Sequence, residues 1–300
     1  PPHTHTTLLS SAASDVYKRQ VWYFHFKPYD YAVKFTARTF PGAINQSIKL
    51  WNYSLSNAEI EKSDDLLQLK QTVVHNDSTF LYDWRITPLS DSTSMVQVFI
   101  TDKDHSLHNR LTFPFYDTDF EKRVKNTVVD FNEKLKQHIG KFRVRIEGMT
   151  ETEPMFCAYV SLEGRQIEKA SGMMQNYSLL SNSLVEHDLE LNGKPIVVIN
   201  EWDQINDRIQ YDFCYPIVKP DSLPEIPFIS YREIKGGRAI KAVYNGNYIS
   251  SDRAWYALLD YAKKEKLEVD PSPFEIFYNN PNMGGNELGW RAEIFMPLVD

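Results

Sequence analysis

Phe120, Val124, Val128, Phe131, Leu135 and Ile139 follow one another at spacings of four, four, three, four and four, drawing one continuous apolar stripe down a long helix. Thr118 and Glu121 stand at its start with the spacing of a capping box, in which hydroxyl and carboxylate each satisfy a free amide, and Gly140 closes it. Ahead of that helix the period is two. Residues 30–37 alternate apolar and polar like a half-buried strand, and strand-like runs follow at 66–74, 79–86, 95–101 and 110–115. Polar turns separate them, such as residues 75–78 and 90–92. One helix interrupts the series at residues 43–53, where Ile44, Ile48 and Trp51 keep helical spacing after Phe40-Pro41-Gly42 break the first strand.

The later part of the chain repeats itself. Tyr211-Asp212-Phe213-Cys214-Tyr215-Pro216-Ile217 recurs in chemistry as Ala292-Glu293-Ile294-Phe295-Met296-Pro297-Leu298, 81 residues later. Gly164 and Gly246 each close an apolar strand (156–162 and 239–244) and open a helical stretch, and each helix leads to a strand begun by proline, Pro195 or Pro273. Two copies of strand, helix, strand, strand predict a pseudo-twofold module with a groove between its halves, and a ligand would sit in that groove. The link between the copies holds Pro220, Pro224 and Pro227, which exclude helix and central strand. In the second copy Ser250 or Ser251 caps a helix with Ala254, Trp255, Leu258, Leu259 and Ala262 on its inner face. Residues 141–147 look like a strand-like link, so two domains are expected, at 30–144 and 145–300.

With 42% hydrophobic and 13% aromatic residues the chain has enough apolar material for two cores and too much for disorder. Its net charge of −7, with no basic cluster, argues against nucleic acid as a partner. Cys157 and Cys214 both fall in apolar strands and are expected as small buried hydrophobes. The eight histidines are scattered, and His105 and His108 lack an acid or thiol at ligand spacing, so no metal is expected. No glycine-rich phosphate loop, Gly-x-Ser-x-Gly or Cys/His nucleophile pair is present, so no cofactor is expected either. Residues 9–20 resemble the conceptual translation of a sequencing-library adapter, as found at broken ends of metagenomic reading frames; residues 1–20 are therefore left out of the fold. Residues 21–29 form an aromatic cluster ending in a cation, read either as the remnant of a membrane anchor or as a first strand with buried rings. Location follows from that choice: membrane-anchored through a lost native start, otherwise cytoplasmic.

An acid inside an apolar strand is unusual, and Asp212 and Glu293 hold matching places in the two copies. Alternation puts Arg291, Glu293 and Phe295 on one face of the last strand and Trp290, Ala292, Ile294 and Met296 on the other. Glu293 then either lines the groove or forms a solvated pair with Arg291. Tyr159, Tyr244 and Tyr278 offer phenol hydroxyls and stacking faces near the acids, Trp202 falls at the groove mouth, and Trp255 is expected in the core.

Strand, short helix, meander and long helix over residues 22–140 resemble the START-like or polyketide-cyclase (SRPBCC) fold, a curved antiparallel sheet wrapped over its last helix. Phe277-Tyr278-Asn279-Asn280-Pro281 opening a hairpin, and Trp290-x-x-Glu293-x-x-x-Pro297-Leu298 closing it, resemble the GyrI-like (gyrase-inhibitor-like) small-molecule-binding family over residues 145–298. That family also supplies the effector-binding domain of AraC- and MerR-type regulators. The resemblance implies an α+β chain with a small-molecule site between the repeats, in which Glu293 meets ligands that are often cationic and aromatic. Such regulators carry a helix-turn-helix ahead of this module, whereas here the preceding segment is β-rich, so the chain is not by itself expected to bind DNA. Two alternatives accompany the binding reading. One is a hydrolase of small electrophilic compounds with Glu293 as general base, which requires a raised carboxyl pKa. The other is a membrane-tethered carrier that holds a hydrophobic guest in the START-like half.

Overall fold

The computed structural model describes residues 28–63, 65–75, 78–112 and 118–299, so residues 1–20 and most of the aromatic cluster at 21–29 lie outside the described residues. The chain forms two compact units that divide between Lys136 and Gln137. Both are built from antiparallel sheet and few helices, the α+β class expected.

The first unit contains β1 (Tyr31–Ala37), α1 (Pro41–Asn52), β2 (Ala58–Ile60), β3 (Gln68–His75), β4 (Ser78–Ser90), β5 (Thr93–Asp102), α2 (Ser106–Thr112) and all but the last turn of α3 (Asp119–Ile139). Its strands pair in the order β1-β5-β4-β3-β2. Period two turns Phe80, Tyr82, Trp84, Val98 and Ile100 to one sheet face, and α3 lays its apolar stripe there. Phe131 meets the rings of Trp84 at 4.9 Å and Trp51 at 5.3 Å, and Phe120 meets Phe80 at 5.2 Å. The Glu121 amide donates to Thr118 Oγ1 at 3.1 Å, one half of the capping box. One expectation fails. Residues 110–112 are helical rather than strand, because the Asp102 carboxylate accepts the His105 amide at 3.0 Å and Asn109 Nδ2 at 3.0 Å and so seeds α2; residues 113–115 of that run lie outside the described residues.

The second unit contains β6 (Phe142–Thr152), β7 (Met155–Arg165), α4 (Lys169–Glu186), β8 (Ile196–Asp203), β9 (Arg208–Pro216), β10 (Ser230–Ile234), β11 (Gly237–Gly246), α5 (Arg253–Glu265), β12 (Phe274–Phe277) and β13 (Arg291–Pro297). Its eight strands run β10-β7-β9-β8-β12-β13-β11-β6. The two copies therefore occupy the two halves, β7-β9-β8 and β12-β13-β11, and meet at a seam where Val197 opposes Glu275. Each outer edge is exchanged: β6 precedes the first copy but pairs with β11 of the second, while β10 precedes the second but pairs with β7 of the first. Residues 141–147, expected as a strand-like link, belong mostly to β6, an edge strand of the sheet.

Both helices pack on one face of this sheet. Gly172 brings α4 so close to β9 that a Cβ there would lie 2.1 Å from Tyr211 Oη, and that hydroxyl donates to Lys169 O at 3.3 Å. Gly246 ends β11 at φ +149°, where a Cβ would meet Lys141 O at 2.9 Å, so glycine is required on both steric and backbone grounds. Neither Ser250 nor Ser251 caps α5; Asn247 instead accepts the Ile249 amide at 3.0 Å and starts the single 3₁₀ turn before it, which frees Ser251 for other contacts.

Two engaged acids and a ring-lined cavity in the duplicated module

Register fixes which side chains meet on the face away from the helices. Glu293 opposes Ile276 and Val243, Phe295 opposes Phe274 and Lys241, Asp212 opposes Val198 and Ser161, and Tyr159 opposes Cys214. Asp212, Tyr159, Glu293 and Phe295 therefore share that face, around an apolar cluster that includes Cys157, Ile196, Val198, Cys214, Phe274 and Phe295. Both cysteines are free and buried.

Each acid is already answered by the chain's own cations. Asp212 accepts Ser161 Oγ at 2.8 Å and pairs with Arg232, whose guanidinium lies 5.8 Å from the Tyr159 ring centre. Glu293 accepts Tyr278 Oη at 2.9 Å and pairs with Lys241 Nζ at 2.9 Å and with Arg291. Lys241 in turn lies 5.4 Å from the Phe295 ring and Arg291 4.8 Å from the Tyr278 ring. An acid, a base and a ring thus recur in both copies, the combination by which a protein recognises an aromatic-flanked cation, here occupied from within.

Burial pushes the Glu293 carboxyl up, but hydrogen bonds from Lys241 and Tyr278 and the charges of Lys241 and Arg291 outweigh it and hold the group below its ordinary value. Because the folded value lies below the unfolded one, the stability this group contributes is present above 4.5 and is lost as pH falls through the folded value. Glu293→Gln should accordingly show a shallower acid loss of stability than the parent chain, measured as urea midpoints across acidic to neutral pH. Parallel curves for the two proteins would show that the pairing contributes nothing.

Tyr244 and Trp202 do not join this group. Tyr244 opposes Ala292 and so points to the helix face, fully buried, with its hydroxyl donating to Asn247 O at 2.8 Å; one step of register separates it from Val243, which does share a face with Glu293. Trp202 lies past a bulge in β8, donates Nε1 to Gln166 Oε1 at 2.8 Å and packs edge-on against Trp255 and Tyr256, so it is not at a groove mouth.

On the helix face lies a charged pair that was not singled out from the sequence. Lys169 and Glu275 are both fully buried, with Lys169 Nζ 2.5 Å from Glu275 Oε1 and 2.6 Å from Ser251 Oγ. Ser251 Oγ lies 2.7 Å from Glu275 Oε2, and Trp255 Nε1 donates to Oε1 at 2.5 Å. Beside it Gln166 Nε2 donates to Asp252 Oδ2 at 2.5 Å and its Oε1 accepts from Tyr256 Oη at 3.2 Å. This network joins the start of one copy's helix to the start of the other's. The signal was available: Glu275 is a third acid inside an apolar strand.

Next to this network a cavity of about 750 Å³ opens between α4 and the turn that follows β12. Met173, Met174 and Tyr177 of α4, Phe213 and Tyr215 of β9, and Tyr248, Phe277 and Trp290 of the second copy wall it. Of the candidate ligand-site residues Glu293, Asp212, Tyr159, Tyr244, Tyr278, Trp202 and Phe295, Tyr278 alone lines it. Two of its polar side chains are engaged: Tyr248 Oη donates to Arg291 O at 2.8 Å and accepts the Asn279 amide at 3.1 Å, while Asn279 Oδ1 accepts the Arg291 amide at 2.8 Å. Among the described residues no three His, Cys, Asp or Glu side chains converge as a metal site, and no helix is long and apolar enough to cross a membrane.

A family model described as a GyrI-like small molecule binding domain matches residues 144–299, more than half of the chain. Among solved structures, an EcmrR–DNA complex gives a TM-score of 0.43 at 14% identity, covering 64% of this chain and 70% of that one. The EcmrR C-terminal domain gives 0.41 at 15% identity, with 53% and 98% covered. SAV2435 bound to tetraphenylphosphonium gives 0.37 at 11% identity, with 52% and 94% covered. No curated protein matches the chain.

Proposed function

The chain belongs to the GyrI-like small-molecule-binding family, and from that premise we propose that it holds an apolar, ring-bearing molecule in the cavity between α4 and the turn after β12. One observation carries the reading. The cavity's volume of about 750 Å³ lies in the range of small-molecule sites, and its walls are methionine and aromatic side chains contributed by both copies. Methionine adapts to irregular ligand shape and the rings supply large dispersion contacts. The face bearing Glu293 supports the reading less well, since an arriving cation would have to displace Lys241 and Arg291 from the carboxylate. Catalysis by Glu293 is disfavoured on the same ground: a carboxyl held below its ordinary value is a weak general base.

Ala170 lines the cavity from α4, and Ala170→Trp fills it without adding charge. Nile red, a neutral dye whose emission rises in apolar surroundings, serves as the probe. The variant should bind it at least about tenfold more weakly, equal to about 1.4 kcal/mol, while far-ultraviolet circular dichroism stays unchanged. Equal affinity in both proteins would place the binding site elsewhere.

A further inference from the structure

We propose that the cavity selects uncharged ligands and discriminates against cations, an inference that rests on the cavity being the binding site. A cation entering a ring-lined space gains from ring faces and from a nearby carboxylate. Here the carboxylates and two of the wall's rings are already engaged. Phe277 forms part of the wall, and Lys169 Nζ already lies 5.9 Å from its ring centre, as well as 4.7 Å from that of Trp255. The Tyr278 ring carries Arg291 at 4.8 Å. A ligand cation against either ring would add a second positive charge to a ring already polarised by one.

The carboxylates around the cavity are no more open to it. Glu275 is closed in by Lys169, Ser251 and Trp255. Glu168, at the exposed mouth, accepts the Arg165 backbone amide at 2.9 Å, Nε at 3.0 Å and Nη2 at 2.8 Å. Glu287 accepts Asn247 Nδ2 at 2.8 Å. The remaining charged lining residue is Lys194, exposed at the rim and of the same sign as the ligand in question. A cation would shed water in this site without gaining an unpaired carboxylate, whereas a neutral ring system loses little hydration and keeps every dispersion contact.

The discriminating set is triphenylmethanol, methyltriphenylphosphonium and triphenylacetate, three molecules of similar shape and different charge, titrated into the full chain by calorimetry. The neutral alcohol should bind at least about tenfold more tightly than the phosphonium, or about 1.4 kcal/mol. Ser171 also lines the cavity, so Ser171→Glu adds a carboxylate to the wall and should narrow that ratio by about tenfold or reverse it. Phosphonium binding as tight as that of the alcohol, abolished by Ala170→Trp, would overturn the charge preference while leaving the cavity reading in place. An unaltered ratio in Ser171→Glu would overturn it as well. Binding of all three that Ala170→Trp leaves intact would instead remove the cavity reading beneath it.

Discussion

Lys169→Met is expected to lower the stability of the second unit by roughly 3 to 5 kcal/mol, the range for stranding one partner of a buried ion pair. The expectation follows from where Glu275 sits. It occupies the seam strand β12 opposite Val197, fully buried, with Lys169 as its one cationic partner in the network. Without the ammonium, Ser251 and Trp255 remain as donors, too few to replace the hydration that a carboxylate surrenders. The double variant Lys169→Met, Glu275→Gln should recover much of the loss, because no uncompensated charge is then left inside. Urea unfolding followed by circular dichroism tests both. A loss below about 1 kcal/mol in the single variant would show that water reaches Glu275 in solution and that the pair does not hold the helices of the two copies together.

The same residue shows how far the sequence could be read. Asp212 and Glu293 stood out as acids in apolar strands, and Glu275, two residues after Pro273, has the same signature; what hid it is that its partner Lys169 lies 106 residues away. Periodicity was enough where one element answers to one core, as with the stripe of α3. It was enough for the two repeats as well, because each is a local run of strand, helix and strands. It failed where the deciding contact is distant. Residues 142–152 carry a strand pattern, but that this strand pairs with β11 rather than linking two domains is a tertiary fact. Residues 110–112 became helix because Asp102 caps the turn before them. Tyr244 and Tyr278 looked alike as candidate ring donors, yet register sends Tyr244 to the helix face while Tyr278 reaches Glu293. The cavity has no local signature, since α4, β9 and two turns of the second copy each give it a few residues.

Phe131→Ala should cost the first unit roughly 3 to 5 kcal/mol, the range for removing a large ring from a packed core. Phe131 is fully buried at the middle of the α3 stripe, and its ring meets Trp84 edge-on at 4.9 Å, Trp51 at 5.3 Å and Phe35 at 6.4 Å. Those neighbours are held in place by polar contacts of their own: Trp51 Nε1 donates to Asp130 Oδ2 at 2.8 Å and Trp84 Nε1 donates to Gln71 Oε1 at 3.0 Å. The indoles cannot slide into the gap without breaking those bonds, so little of the vacated space should close. Phe131→Leu retains most of the volume and should cost less, about 1.5 kcal/mol or below. Asp130 supplies an internal check, because the Trp51 hydrogen bond, ahead of the Lys134 contacts and against burial, holds its carboxyl below the ordinary range. If the indole stays in place in Phe131→Ala, that depression should survive the mutation and be visible by NMR titration. A small stability loss together with a normal Asp130 titration would mean that Trp51 has moved into the vacancy. A hydrophobic guest between α3 and the sheet would then need only a side-chain shift. A full loss with Asp130 still depressed would mean that such a guest must displace Phe131 itself, against the energy of a packed ring.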